Sequence, residues 1–333
     1  NGPRIHEFLH ELNHEITAGR DRVLMTVGEM PGVTVTEAVL FTDPDRAEVD
    51  MVFQFEHMGV DHGPDGRFDA RPMRLADLTA SFDKWQQALA TSGWNSLYWC
   101  NHDQPRPVSR FGSDDPAHRV ASAKALATVL HLQRGTPYVY QGEELGMTNY
   151  PWQSTDEFQD VESINHHRYA LEAGESDADI LGALRQRSRD NARTPMQWSA
   201  DEHAGFTTGT PWMPVNPNHS EINAEAQVDD PDSVFHHYRK LIALRHELDV
   251  VTHGDFTLLL PGHDQVVAFT RRLESDELLV LANLSSDEAT ATLGADWSAT
   301  AELILGNLPG DSPALGPEQR LAPWQALVYL RRT

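Results

Sequence analysis

The sequence predicts an α/β fold, a parallel sheet with covering helices, followed by a smaller all-β antiparallel sandwich. Three observations predict it. Four short apolar runs recur before residue 145, each ending in polar residues. Stretches of helical period separate them. Beyond about residue 253 the pattern changes to short alternating runs divided by turn residues.

Taken in order, the first 28 residues read as a helix, with Ile5, Phe8, Leu9, Leu12 and Ile16 on one face, leading into the first strand. That run is Val23-Leu24-Met25-Thr26-Val27, ending in Gly28-Glu29. The second is Met51-Val52-Phe53-Gln54-Phe55, ending in Glu56-His57. The third is Ser96-Leu97-Tyr98-Trp99-Cys100, ending in Asn101-His102-Asp103. The fourth is Pro137-Tyr138-Val139-Tyr140, ending in Gln141-Gly142-Glu143-Glu144. Runs this short and this apolar read as strands buried on both faces. Leu75, Leu78, Phe82, Trp85 and Leu89 mark a helix between the second and third, and Val120, Ala123, Leu126, Val129 and Leu130 one between the third and fourth. Alternating strand and helix implies a parallel sheet, whose chemistry gathers at the C-terminal strand ends. The carboxylates that close these runs therefore mark one active-site face.

Residues 150 to about 230 are rich in Asp, Asn, Pro and aromatic residues and read as a long excursion over that face. Residues 232–248 return to a helix. Strands are then expected at 256–260, 266–269, 278–281, 302–305 and 327–330.

Fifty acidic and 26 basic residues give a net charge of −24, which excludes a nucleic-acid partner and suits a neutral substrate. No apolar run approaches the roughly 20 residues of a membrane span, and the start carries no signal-peptide pattern. Cys100 is the single cysteine, so no internal disulfide can form, and a cytoplasmic location fits. The 17 histidines show no metal-ligand spacing, so neither metal nor cofactor is expected.

Glu29 and Asp103 close two different strands. Glycoside hydrolysis needs one carboxyl to protonate the leaving oxygen and others to stabilise an oxocarbenium-like transition state. Carboxylates crowded in one cleft raise one another's pKa, which keeps one protonated. His102 is placed to hydrogen-bond sugar hydroxyls. Phe53, Phe55, Tyr98, Trp99 and Trp198 are candidate pocket walls, with most of them read as core.

At this point the motifs become specific. Thr26-Val27-Gly28-Glu29-Met30-Pro31-Gly32 resembles the segment around the acid/base glutamate of oligo-1,6-glucosidases and related α-glucosidases, members of glycoside hydrolase family 13. Asn101-His102-Asp103-Gln104-Pro105-Arg106 resembles the segment with the transition-state-stabilising aspartate. The stretch from Gln141 to Asn149 is similar to the eighth-strand segment. Arg189-Asp190-Asn191-Ala192-Arg193-Thr194-Pro195-Met196-Gln197-Trp198 and Ala204-Gly205-Phe206-Thr207-Thr208-Gly209 are similar to stretches typical of the oligo-1,6-glucosidase group.

The resemblance implies the C-terminal half of a TIM (β/α)8 barrel over residues 1–250, holding strands five to eight and the insertion at about 150–230. A C-terminal β-sandwich over 251–333 follows. It implies a retaining, exo-acting α-glucosidase that cleaves α-1,6 and/or α-1,4 bonds at the non-reducing end of an oligosaccharide or disaccharide. Glu29 matches the acid/base. Asp103 matches the aspartate that grips sugar hydroxyls, and His102 the histidine beside it. Arg193, ahead of Arg189, matches the arginine that recognises the terminal glucose. Arg106 and Glu143 read as structural ion pairs, and Glu56-His57 as structural.

The family's nucleophile, an aspartate on the fourth strand, has no counterpart here, and is expected upstream of this chain. Asp21 lies before the first strand, at the wrong end. Four strands of an eight-stranded barrel leave two open edges, so the chain alone is expected to be incomplete, with the missing N-terminal half as its partner. Alternatives are a sucrose isomerase or transglucosidase, and a catalytically inactive fragment or scaffold. Against the isomerase, Arg74-Leu75-Ala76-Asp77-Leu78 lacks the second arginine and next aspartate of its arginine-rich loop. Against a transporter-type heavy chain, Glu29, His102 and Asp103 are all present.

Overall fold

The computed structural model describes residues 2–21, 24–294, 297, 301–311 and 315–332; Val23 of the first expected run lies outside them. The chain opens on α1 (Ile5–Thr17), whose residues Ile5 and Leu9 pack toward the next helix while Phe8 and Leu12 stay exposed. Strand β1 (Val27–Glu29) leads to α2 (Val35–Thr42), started by a capping box in which Thr34 and Glu37 exchange hydrogen bonds. Next come β2 (Met51–Phe53) and the hairpin of β3 (His62–Gly63) and β4 (Gly66–Ala70). Helix α3 (Leu75–Ala88) buries Leu75, Leu78, Phe82 and Trp85, the expected stripe. Strand β5 (Ser96–Leu97), α4 (Pro107–Arg110), α5 (Arg119–His131) and β6 (Thr136–Pro137) complete this part.

β1 and β2 pair in parallel, as do β5 and β6, and a parallel bridge between Val52 and Asn95 joins the pairs. The order is therefore β1-β2-β5-β6, with every C-terminal end on one side. The ladders are two or three residues long, shorter than the expected runs of four or five. The first run enters the ladder only at Val27 and continues through Glu29, while at the ends of the second and third runs side chains replace ladder bonds. Tyr98 donates its hydroxyl to the Gln54 carbonyl at 2.7 Å, and His57 Nε2 meets the Tyr98 carbonyl at 2.9 Å. The Phe53 ring packs edge-on against Tyr98 and Tyr138, at 5.2 and 4.6 Å.

Arg74-Leu75-Ala76-Asp77-Leu78, compared above with a substrate-side loop, is instead the first turn of α3. Leu75 and Leu78 are driven into the core, and Arg74 faces solvent 3.8 Å from Asp77.

The excursion folds as α6 (Val161–Glu172), α7 (Asp177–Arg187), α8 (Asp190–Arg193) and α9 (Ala224–Asp229), with a core of its own built on Trp152, Phe158, Ile180, Leu184 and Met213. Helix α10 (Val234–Glu247) and α11 (Asp249–His253) return the chain to the main core.

The remaining strands are β7 (Asp255–Leu258), β8 (Val266–Leu273), β9 (Asp276–Asn283), β10 (Ala289–Thr292), β11 (Glu302–Gly306), β12 (Glu318–Leu321) and β13 (Ala326–Arg332). Five form an antiparallel sheet of order β11-β13-β9-β8-β7, and β10 pairs with β12 as a second layer. Side-chain alternation divides the large sheet. Val267, Phe269, Leu278, Val280 and Val328 join the core of α5 and α10, and Val266, Ala268, Leu279, Leu281 and Tyr329 face β10 and β12. β10 and β12 were not expected, because Ala-Thr alternation and the charged Glu-Gln-Arg stretch carry little apolar pattern. Among the described residues, no helix is long and apolar enough to cross a membrane.

Arg271 on β8 is fully buried and donates to the carbonyls of Leu132, Val251 and Gly254, at 2.6–3.2 Å. It clamps the sheet to the end of α5 and to α11. Burial lowers its pKa to about 9.

Candidate active site

Glu29 is the last residue of β1 and sits exposed at the C-terminal end of the sheet, in register with Phe53. The strand is held there by Asp50, whose carboxylate accepts from the backbone N–H and the hydroxyl of Thr26 at 2.6 and 2.8 Å. No described side chain hydrogen-bonds the Glu29 carboxylate, which leaves it open to solvent. Its charge, after burial, helps push the Tyr98 hydroxyl upward in pKa.

Asp103 follows β5 at the same end. One strand, β2, lies between β1 and β5. Asn101 shapes the turn by accepting the Asp103 N–H on Oδ1 at 2.8 Å. The groups in contact with the Asp103 carboxylate are cationic, and Asp160 and Glu162 stand on the far sides of its two arginines. Arg193 Nη2 donates to Oδ1 at 2.7 Å, Arg189 Nη1 lies 3.6 Å from Oδ2, and His102 Nε2 lies 3.6 Å from Oδ1. The long insertion supplies these arginines.

Arg193 is placed by two further bonds, Nε to the His102 carbonyl at 3.0 Å and Nη1 to Asp160 Oδ1 at 3.1 Å. Burial pulls its pKa down, and the Asp103 and Asp160 contacts more than offset this, so the guanidinium is held above its usual value. Arg189 sits between Asp103 and Glu162, with Nε 2.9 Å from Glu162 Oε2. The structure thus brings both arginine candidates to Asp103. His102 is mostly exposed, at 64%, with its ring free to meet a ligand.

Residues absent from the sequence reading complete the surroundings. Arg67 on β4 donates to Glu162 Oε2 at 2.9 Å, to the Asp103 carbonyl at 3.2 Å and to the Arg187 carbonyl at 2.7 Å. Asp61 is buried between Arg110 and Arg187. Burial pushes its carboxyl up, and the Arg110 hydrogen bonds with the two guanidinium charges outweigh this and hold it below the usual range. Partners up to 126 residues apart leave no local signal.

Arg106 and Glu143 are structural, and neither is an ion pair. Arg106 is fully buried and donates to the carbonyls of Gln141, Asn191 and Ala192. Gly142 lets the chain pass it: φ is +89°, and a Cβ would stand 3.0 Å from Arg106 Nη1. Glu143 accepts the Tyr238 hydroxyl at 2.8 Å, and burial raises its pKa to about 8. Glu56 accepts from Lys84 and Trp85, away from Asp103. Of the aromatic candidates, Tyr98 and Trp99 are core, Phe53 and Phe55 pack partly buried against it, and Trp198 is exposed. Among the described residues no group of three or more His, Cys, Asp or Glu is arranged to hold a metal.

The family model described as the alpha-amylase catalytic domain matches residues 1–254. The chain belongs to the alpha-amylase family. Within it, the oligo-1,6-glucosidase of Parageobacillus thermoglucosidasius is 50% identical over 331 residues, which is 99% of this chain and 58% of that protein. The crystal structure of the trehalose-6-phosphate hydrolase of Bacillus licheniformis superposes with a TM-score of 0.94 at 42% identity, over 100% of this chain and 60% of that one. The isomaltulose synthase of Klebsiella sp. LX3 gives 0.94 at 38% identity, over 99% and 59%. The chain therefore spans somewhat under two thirds of the length of these alpha-amylase family relatives. Its four parallel strands and terminal β-sheets are a part of the family's barrel with the sheet domain that follows it.

Proposed function

We propose that the gene product containing these residues is a retaining, exo-acting α-glucosidase. It cleaves α-1,6 and/or α-1,4 bonds at the non-reducing end of short gluco-oligosaccharides. Glu29 protonates the leaving glycosidic oxygen and later takes a proton from the attacking water. Asp103 accepts hydrogen bonds from the glucose hydroxyls and tightens on them as the ring flattens toward the transition state. His102 and Arg193 bind the same glucose. The observation that carries the reading is Asp103 fixed by Arg193 and Arg189 at the strand end it shares with the open carboxylate of Glu29. The oligo-1,6-glucosidase relative at 50% identity supports the linkage class. A cytoplasmic location accords with a single, buried, unpaired Cys100.

The test uses leaving groups of different acidity. In Glu29→Gln, turnover of isomaltose falls about 10³-fold, the scale of a lost general acid. Glycosyl transfer from p-nitrophenyl α-glucoside, whose phenolate leaves without protonation, falls much less. Steady-state turnover of both substrates falls because Glu29 also activates the water, so the comparison is made on the first step: a burst of p-nitrophenolate slowed as much as isomaltose cleavage would remove Glu29 from the acid role. Glucose plus fructose from sucrose is expected, and isomaltulose or trehalulose would favour the isomerase alternative.

A further inference from the structure

We propose that Asp61 is a positioning residue for Asp103. It holds the segment carrying that carboxylate in register with the segment carrying its arginines. The proposal rests on the glucosidase reading above, in which Asp103 grips the glucose.

Asp61 follows the turn after β2, with its side chain 2% exposed. Oδ2 accepts Arg110 Nε at 2.9 Å and Arg187 Nη1 at 2.5 Å, and Oδ1 accepts Arg110 Nη2 at 2.8 Å. Its carbonyl accepts Arg187 Nη2 at 3.1 Å. Each arginine continues toward Asp103 by a different route. Arg110 Nη1 donates to Gln104 Oε1 at 2.7 Å, and Gln104 is the next residue after Asp103. The Arg187 carbonyl accepts Arg67 Nη2 at 2.7 Å, and the same nitrogen donates to the Asp103 carbonyl at 3.2 Å. Arg187 also leads, two and six residues on, into Arg189 and Arg193.

One carboxylate thus joins three segments: the loop after β2, the end of α4 just past Asp103, and the end of α7 that leads into α8. Arg110 and Arg187 are like charges buried side by side, and they converge only because Asp61 lies between them. Fold stability alone does not call for such a group, since buried ionic networks are often replaced by apolar residues without loss. What apolar residues do not supply is direction. The forked, bidentate geometry of an arginine on a carboxylate fixes angle as well as distance. Small misplacements of a group that grips the transition state are costly in rate.

The experiment uses the full gene product. Asp61→Asn keeps the side-chain volume and removes the charge. The expected result is a kcat on isomaltose about 100-fold lower, with KM within about threefold, because Asp103 grips harder in the transition state than in the ground state. The triple variant Asp61→Leu, Arg110→Met, Arg187→Met is expected to melt near the wild-type temperature with kcat still low. Stability recovered without rate separates direction from packing. A kcat for Asp61→Asn within threefold of wild type overturns the proposal, and so does a triple variant that regains both melting temperature and kcat. Should neither variant fold, Gln104→Ala cuts one route alone. A roughly tenfold lower kcat at an unchanged melting temperature then supports the proposal, and an unchanged kcat overturns it. A wild type that turns over no α-glucoside defeats the glucosidase reading instead. The positioning claim is then read from a crystal structure of Asp61→Asn, in which an Arg193–Asp103 contact still at 2.7 Å overturns it.

Discussion

Among single residues, Glu143 shows how far burial can reverse an expectation. A charged glutamate in the polar stretch that closes the fourth apolar run reads as one half of an ion pair. In the structure it is fully buried, accepts one hydroxyl from Tyr238, and is held protonated by the cost of burying its charge. Its folded pKa of about 8 lies above the unfolded value of 4.5, so the folded form binds the proton more tightly. The stability from this proton is fully present below pH 4.5 and is lost as pH rises through about 8. Glu143→Gln keeps the hydrogen bond to Tyr238 and removes the titration. The variant is expected to melt at a higher temperature than wild type at pH 8 and to match it near pH 4.5. Thermal scans at the two pH values check this, and an equal difference at both would refute the burial argument.

At the scale of elements, the helices were the most legible feature. The stripe Leu75, Leu78, Phe82, Trp85 repeats at helical spacing because one face of α3 meets the core, and α3 follows it closely. The parallel strands were legible in place and in order, but less so in length, because Tyr98 and His57 satisfy backbone carbonyls that a ladder would use. The placement of Glu29 at the end of β1, and of His102 and Asp103 in the loop after β5, was readable because each lies inside a compact motif that closes an apolar run. Asp61, Arg67 and Glu162 were not, since their partners are distant in sequence and a lone charge with no partner nearby in the chain looks like solvated surface. Arg271 belongs to the same group: it sits in an alternating strand and nothing nearby signals that it crosses between layers. Arg271→Met removes the donor from three buried carbonyls and is expected to cost about 3 kcal/mol of stability. Urea unfolding measures it, and a loss under 1 kcal/mol would mean that water takes over those carbonyls.

For the molecule as a whole, buried histidines set the acid limit. His57 is lowered to about 4, and His131 and His237 to about 3, all chiefly by burial. Each folded pKa lies below the unfolded 6.5, so the unfolded chain binds more protons as pH falls. Stability is therefore full above about pH 6.5 and falls as pH drops toward 4, by up to about 1.4 kcal/mol per unit for each group. Three such groups outweigh the opposite slope of Glu143. The urea midpoint is expected to drop sharply between pH 6.5 and 4.5, and a flat midpoint across that window would show that these rings are already solvated.

The sheet that follows the barrel strands is two-sided, and this bears on how such chains recombine. Val267, Phe269, Leu278, Val280 and Val328 are not the sheet's private core; they are the other wall of the cavity that α5 and α10 fill. Arg271 fastens the two, reaching from β8 to carbonyls of Leu132 and Gly254 across the join. A crossover near residue 254, which looks like a natural seam, would exchange one half of an interlocked surface. Chimeras between relatives are therefore expected to tolerate breakpoints in the loops at the strand ends better than at this seam. The sheet and the helices it covers would be inherited as one unit.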